Sequence, residues 1–361
     1  MKNIGKSWRD SATLIVLTKR SGAAASAAAG KRSGDVGGVN YDILLQTRTG
    51  GASFPNSVVF PGGVAERADG DERWSRLLTS FGFTHQDFES LHRRGSTVPA
   101  IFQSNPIQRH ISLRVTAIRE TFEELGLLLC SRQQKNQRDG IWANIISDID
   151  VKLWQNKLAK DPDELWNLCK EYNCYPDIWS LHYWSNWLTP KIFPKRFDTA
   201  FFVTAIESKP DFIKASSEVF SVEWSSPTEI LNKTNVVVYP PQIYELTRLS
   251  HVTDLEELIK LAKEKSIHGD PCIYPVVVPA KDGMVHLLPG DDLYPETVDF
   301  NDNNKLPYTD KTILELRENC GTIHRLEKPK ASNQPPVIVI KNYKTKHPID
   351  MGDTTMILNE V

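Results

Sequence analysis

Arg119-Glu120-Thr121-Phe122-Glu123-Glu124-Leu125-Gly126 crowds three carboxylates into little more than one turn of a predicted helix. Glu120 and Glu124 stand at i and i+4 with Glu123 beside them, so they reach toward one region and repel unless a cation neutralises them. Magnesium and manganese take carboxylate oxygens and share them with substrate phosphates, which would give the cluster a purpose. The competing interpretation is a solvated acidic face closed by Gly126. Val115, Ile118, Phe122 and Leu125 recur at helical spacing on the other side, which predicts a helix over residues 113–125 with a buried stripe. Upstream, Phe60-Pro61-Gly62-Gly63 ends an apolar run in a glycine turn, where the absence of Cβ atoms lets the backbone approach a ligand.

Together, FPGGVAERAD at residues 60–69 and RETFEELG at 119–126 resemble the signature box of the Nudix hydrolases, which cleave nucleoside diphosphates linked to another moiety. Gly63 supplies the first glycine of the box, and Asp69 stands six positions later where the family usually has glutamate. Arg119 follows Gly63 by 56 positions where an uninterrupted box would have 14, an insertion of 42 residues placed at about 70–112. Surface loops accept such insertions at modest closure entropy. The insertion leaves the role of Asp69 open. The split box, SFPNSVVFPGG at 53–63 and RFDTAFFV at 196–203 resemble the coenzyme A diphosphatase branch, whose animal members are peroxisomal. Further similar strings are WLTP at 187–190, YPPQIYEL at 239–246 and VHLLPGDDLY at 285–294.

The resemblance implies an α/β fold, the Nudix α/β/α sandwich with a mixed sheet, enlarged by the insertion and a C-terminal α+β extension. It implies a Nudix domain over 8–235, with a helical Trp-rich segment at about 140–190, and the extension over 236–361. Residue by residue it makes Glu120, Glu123 and Glu124 metal ligands, with the carbonyl of Gly63 a further one and Mg2+ or Mn2+ the cofactor. Arg119 reads as the group that pairs with a neighbouring acid and orients the carboxylates, with a phosphate contact the alternative. Gly62, Gly63 and Arg48 become substrate contacts, Arg48 for a 3′-phosphate. Glu124, Glu218 and Glu223 are all candidates for general base. Arg196 reads as a structural partner of Asp198. The implied reaction is hydrolysis of coenzyme A or acyl-coenzyme A to 3′,5′-ADP and (acyl) 4′-phosphopantetheine. Its rivals are another nucleoside diphosphate derivative (ADP-ribose, a nucleotide sugar, an RNA cap) and a catalytically silent Nudix binding module.

Composition excludes more than it selects. The 361 residues carry a formal net charge of −2, which speaks against general nucleic-acid binding, although Lys and Arg outnumber acids by eight to three before Thr49. No apolar run approaches the roughly 20 residues that span a bilayer, which predicts a soluble, unexported chain. Asn359-Glu360-Val361 is not the serine, lysine, leucine type of peroxisomal address, so the resemblance alone carries that compartment, with cytoplasm or mitochondrion the alternatives. The five cysteines form no CXXC pair; Cys169 and Cys174 read as buried small residues and not as half of a zinc site. No glycine-rich stretch has dinucleotide fingerprint spacing. Oligomeric state is not legible.

Strands are expected over 12–18, 41–47, 58–60, 197–206 and 218–224, and helices over 73–81, 227–231 and 240–264, with a β-rich appendage beyond Ser266. Residues 21–38, nearly all Gly, Ala, Ser and Lys/Arg, read as a flexible hairpin connection. Six of the nine tryptophans (Trp142, Trp154, Trp166, Trp179, Trp184, Trp187) lie in the segment read as helical pieces, where they are expected to fill helix contacts.

Overall fold

The apolar run of the first strand is buried on both faces because helices cover both sides of the sheet it centres. The computed structural model describes residues 7–20, 38–51, 55–91, 99–138, 140–210, 215–268, 271–301, 309–318, 320–331, 336–344 and 354–355. Nearly all of the expected hairpin connection at 21–38 therefore lies outside the described residues.

Four strands precede the box helix: β1 (Arg9–Lys19), β2 (Tyr41–Arg48), β3 (Val58–Val59) and β4 (Gly62–Val64). A separate ribbon pairs β5 (Cys130–Ser131) with β6 (Tyr175–Pro176), and β7 (His182–Leu188), β8 (Phe197–Ile206) and β9 (Val219–Ser225) complete the main sheet. Its order is β3-β2-β1-β8-β7, with β4 pairing β1 and β9 pairing β2. The β1–β8 ladder is parallel and the others antiparallel, so the sheet is mixed. Side chains alternate across a strand. Ala12, Leu14 and Val16 join one core with Phe122 and Leu125 of the helix Pro106–Leu125, whereas Ile15 and Leu17 join another with Leu246 and Leu258. Those last two residues belong to helices Pro240–Ser250 and Leu255–His268, so the three layers follow directly from the alternation.

The box helix begins at Pro106, seven residues ahead of the predicted start, because its first turns bury polar groups that an apolar template overlooks. Asn105 adopts φ +50° ahead of Pro106 at the first helical position, where a missing N–H removes no bond. His110 stacks on Phe102 at 3.9 Å between ring centroids, and the guanidinium of Arg114 donates to the carbonyls of His110 and Leu181. At the other end Gly126 takes φ +71° and donates its N–H to the Phe122 carbonyl at 2.7 Å. Helices Arg73–Ser80, His85–Leu91 and Ala100–Gln103 lie between the two halves of the box.

Two readings of periodicity are corrected. Trp184 and Trp187 lie on strand β7, not in a helix; both indole N–H groups donate to the buried Glu245 carboxylate, at 2.6 and 2.8 Å. The predicted helix over 240–264 is two helices, since Asp254 caps a second start by accepting the N–H groups of Glu256 and Glu257.

Beyond these, β10 (Val276–Ala280), β11 (Gly283–Leu287), β12 (Ile323–Pro329), β13 (Val337–Lys341) and β14 (Thr354–Thr355) form a consecutive antiparallel sheet. It is tied to the main sheet where Ile273 exchanges backbone bonds with Asn186 and Leu188, at 2.8 and 3.0 Å. Arg196 does not pair with Asp198. It donates instead to Thr189 O, Ser7 Oγ and Phe300 O, while Asn186 holds Asp198 at 2.7 Å.

His324, on β12, sits between Tyr244 Oη at 2.8 Å and the Pro289 carbonyl at 2.7 Å, and burial pushes its pKa down to about 4. Above the ordinary value near 6.5 its contribution to stability is complete; as pH falls toward 4 the unfolded chain takes up a proton that the native ring refuses. The stability difference between wild type and His324→Gln should therefore shrink by roughly 2 kcal/mol between pH 7 and 5. Urea midpoints at both pH values check this, and a constant difference would contradict it.

Candidate active site

The glycines of β4 run beneath the last turn of the box helix, and their lack of side chains is a steric requirement. A Cβ on Gly63 would stand 2.4 Å from the Glu120 carboxylate; one on Gly62, which has φ +152°, would stand 2.4 Å from the Ala12 carbonyl. Glu120 thus occupies the space that any other residue at 63 would fill. Gly63→Ala should displace that carboxylate and lower kcat by about 10²-fold, the usual penalty for a misplacement near 1 Å. Unchanged kcat in a folded variant would refute this.

Glu124 is held from three sides. Its Oε2 accepts from Gln46 Nε2 at 2.7 Å and from the Gly62 N–H at 2.9 Å, and Arg48 Nη2 lies 3.8 Å from Oε1 while also donating to the Gly62 carbonyl. Gln46 escaped the sequence reading. Its signal was a lone amide, 1% exposed, at the end of the buried run Ile43-Leu44-Leu45.

Arg119 is 2% exposed and organises the rest. Nε and Nη2 fork onto the two Asp69 oxygens at 2.8 and 2.9 Å, Nη1 meets Glu120 at 2.9 Å and Glu123 at 2.8 Å, and Nη2 also donates to the Val64 carbonyl. Asp69 is itself 1% exposed and accepts from Thr116 Oγ1 and the Glu66 N–H. This gives Asp69 its place: it fixes the guanidinium that holds Glu120 and Glu123.

Burial raises all three glutamates, Glu120 to about 8 and Glu124 to about 7, with neighbouring carboxylates adding to the rise and Arg119 or Arg48 opposing it. Such groups favour a bound cation over solvation. The three are not equivalent, however. Glu120 and Glu124 line a cavity of about 530 Å³, whereas Glu123 does not, and the three do not gather their oxygens within 4.8 Å of one another. The oxygen-rich donor set suits a hard divalent ion that keeps several of its waters.

The cavity lies against the second face of the sheet, over Ser11 and Thr13, and Arg48, Gly62, Gly63 and Glu218 share its acidic end. Away from that end it is walled by Trp187, Pro190, Phe193 and the start of the Pro240–Ser250 helix, with His286 of the C-terminal sheet. Glu218 is near enough for its charge to raise Glu123 and Glu124 further. Glu223 is not brought to the site: it does not line the cavity and pairs instead with Lys233.

The sequence descriptions of known families match this chain in two places. Residues 8–249 match the NUDT19 Nudix domain and residues 277–333 the NUDT19 C-terminal domain. The chain belongs to the NUDT19 family of Nudix hydrolases. An acyl-coenzyme A diphosphatase NUDT19 of Xenopus laevis is 33% identical over 370 aligned positions, covering 96% of each chain. The protein of that name from Homo sapiens is also 33% identical, covering 79% of this chain and 80% of its own. Among solved structures, a Nudix hydrolase from Alicyclobacillus acidocaldarius shares the fold, at a TM-score of 0.51 and 21% identity over 71% of this chain and 97% of its own. Nudix hydrolases generally use divalent metals, and the NUDT19 family's second matched region contains β11 and β12, the former carrying the His286 that reaches the cavity. Among the described residues no helix is long and apolar enough to cross a membrane.

Proposed function

We propose that this protein hydrolyses the pyrophosphate of coenzyme A or acyl-coenzyme A, giving 3′,5′-ADP and (acyl) 4′-phosphopantetheine, with Mg2+ or Mn2+. One observation carries the reading: Glu120, Glu124, Arg48 and the β4 glycines meet at one end of a single cavity that extends well past them. The names of the Xenopus and human relatives support the substrate class.

Glu120, Glu124 and Glu123 would hold the metal, with the Gly63 carbonyl. When bound, the ion neutralises non-bridging phosphate oxygens and lowers the pKa of water. The chain's own residues do the remaining work. Arg119, anchored by Asp69, keeps the glutamates aimed. Gln46 and the Gly62 N–H hold one Glu124 oxygen, which suits that residue to ligation more than to proton removal. Glu218, on the same cavity, is then the general base, and Glu218→Gln should lower kcat by about 10² to 10⁴-fold while leaving metal affinity in place. Loss of metal binding with kcat unchanged at saturating metal would reassign it. Arg48 contacts a substrate phosphate, the 3′-phosphate by family resemblance. Peroxisomal residence is part of the same proposal, and imaging of a tagged chain tests it.

The deciding experiment incubates purified protein with coenzyme A, acetyl-coenzyme A, ADP-ribose, a nucleotide sugar and capped RNA, with either metal, and separates the products by chromatography. Release of 3′,5′-ADP from the coenzyme A substrates at the highest kcat/KM is expected. Preference for any other member moves the substrate class, and cleavage of none makes the protein a binding module.

A further inference from the structure

Far from the carboxylates, three cysteines converge. Cys130 opens β5, Cys169 lies near the end of the helix Glu164–Glu171, and Cys174 immediately precedes β6. Their sulfur atoms all lie within 4.8 Å of one another, all three residues are 0% exposed, and none is in a disulfide. Among the described residues no other trio of His, Cys, Asp or Glu side chains gathers so tightly. The backbone is shaped for the convergence: Asn173 turns with φ +48°, and the Cys174 N–H closes onto the Cys169 carbonyl at 2.9 Å, so both thiols of the C-x4-C loop face the β5–β6 ribbon.

Three isolated core cysteines would need no common focus. A zinc–sulfur bond is about 2.3 Å, so three sulfurs around one ion stand roughly 4 Å apart, within the spacing found here. Thiolates select soft cations, whereas the glutamates of the hydrolytic site select hard ones. Arg132 beside the trio donates to the Tyr172 carbonyl at 3.1 Å and to Asp148 at 2.9 Å.

We propose that Cys130, Cys169 and Cys174 form a buried site for one thiophilic d10 cation, zinc or copper(I), that staples the β5–β6 ribbon to the Glu164–Glu171 helix. Binding replaces up to three S–H bonds with metal–sulfur bonds, the protons pass to solvent, and no oxidant takes part.

Cadmium is the probe, because its bonds to thiolate give an ultraviolet charge-transfer band that a carboxylate site does not. Titration of the reduced, full-length protein should develop that band to one equivalent. Cys130→Ser, Cys169→Ser and Cys174→Ser should each lose it, while Cys272→Ser and Glu120→Gln keep it. A second measurement needs no variant: in mild denaturant, cadmium should slow alkylation of Cys130, Cys169 and Cys174 and leave Cys272 at its metal-free rate. Absence of the band in folded wild-type protein, uniform protection of all cysteines, or a disulfide within the trio after anaerobic purification would overturn the site.

Discussion

Glu120→Gln and Glu124→Gln should each lower kcat by about 10² to 10³-fold or more, since each removes one of the two box-helix carboxylates that line the cavity while preserving shape. Glu123→Gln should lose less, because that side chain does not line the cavity. The ranking matters as much as the size. None of the three variants should be unfolded. Burial raises the Glu120 and Glu124 carboxyls far above the ordinary range, so in metal-free protein near pH 8 the ionised forms oppose folding, and removing the charge should leave stability equal or higher. Steady-state kinetics across a magnesium series, with thermal melts in a chelator, read both effects. Near wild-type turnover by folded Glu120→Gln or Glu124→Gln would remove the basis for the catalytic reading.

Arg119→Met should destabilise the fold by about 3–5 kcal/mol, the range for removing one partner of a buried ion pair. The Asp69 carboxylate, 1% exposed, would keep Thr116 and the Glu66 N–H but lose the cation that offsets its charge. Asp69→Asn combined with Arg119→Met should recover part of that loss, because the stranded charge is gone. Arg119→Lys should not rescue activity: an ammonium cannot fork onto both Asp69 oxygens while reaching Glu120, Glu123 and the Val64 carbonyl. Chemical denaturation of the two singles and the double gives the coupling energy. An Arg119→Met loss below about 1 kcal/mol would show that the network is not held by this pair.

The bearing of Asp69 on Arg119 shows where linear reading ended. Its spacing within the box identified the position, but an insertion of helices follows it, and only the folded chain brings it back across 50 positions to the guanidinium. Gln46 meets Glu124 from 78 positions away, at the end of the apolar run Ile43-Leu44-Leu45. The spacing of Trp184 and Trp187 suits a helix; both instead lie on β7, where Trp187 pairs with Thr199 of β8 and Trp184 falls at the ladder's irregularity between Tyr183 and Ser185, and both indoles donate to the buried Glu245 carboxylate. Cys130, 39 residues before Cys169, offered no spacing signal at all.

The order of residues along the chain was enough to determine the box helix with its acidic turn, the glycine pair that must lack side chains, and the strands whose alternation demands a layer on each side. These properties are local: they arise from repeats of two or 3.6 residues and from backbone angles that neighbours set. Tertiary structure alone decided which glutamates face the cavity, that Asp69 anchors Arg119, that His286 of the C-terminal sheet reaches the cavity, and that three thiols share one point. Those depend on contacts between distant segments, which loop closure and packing select together and which no short-range pattern records.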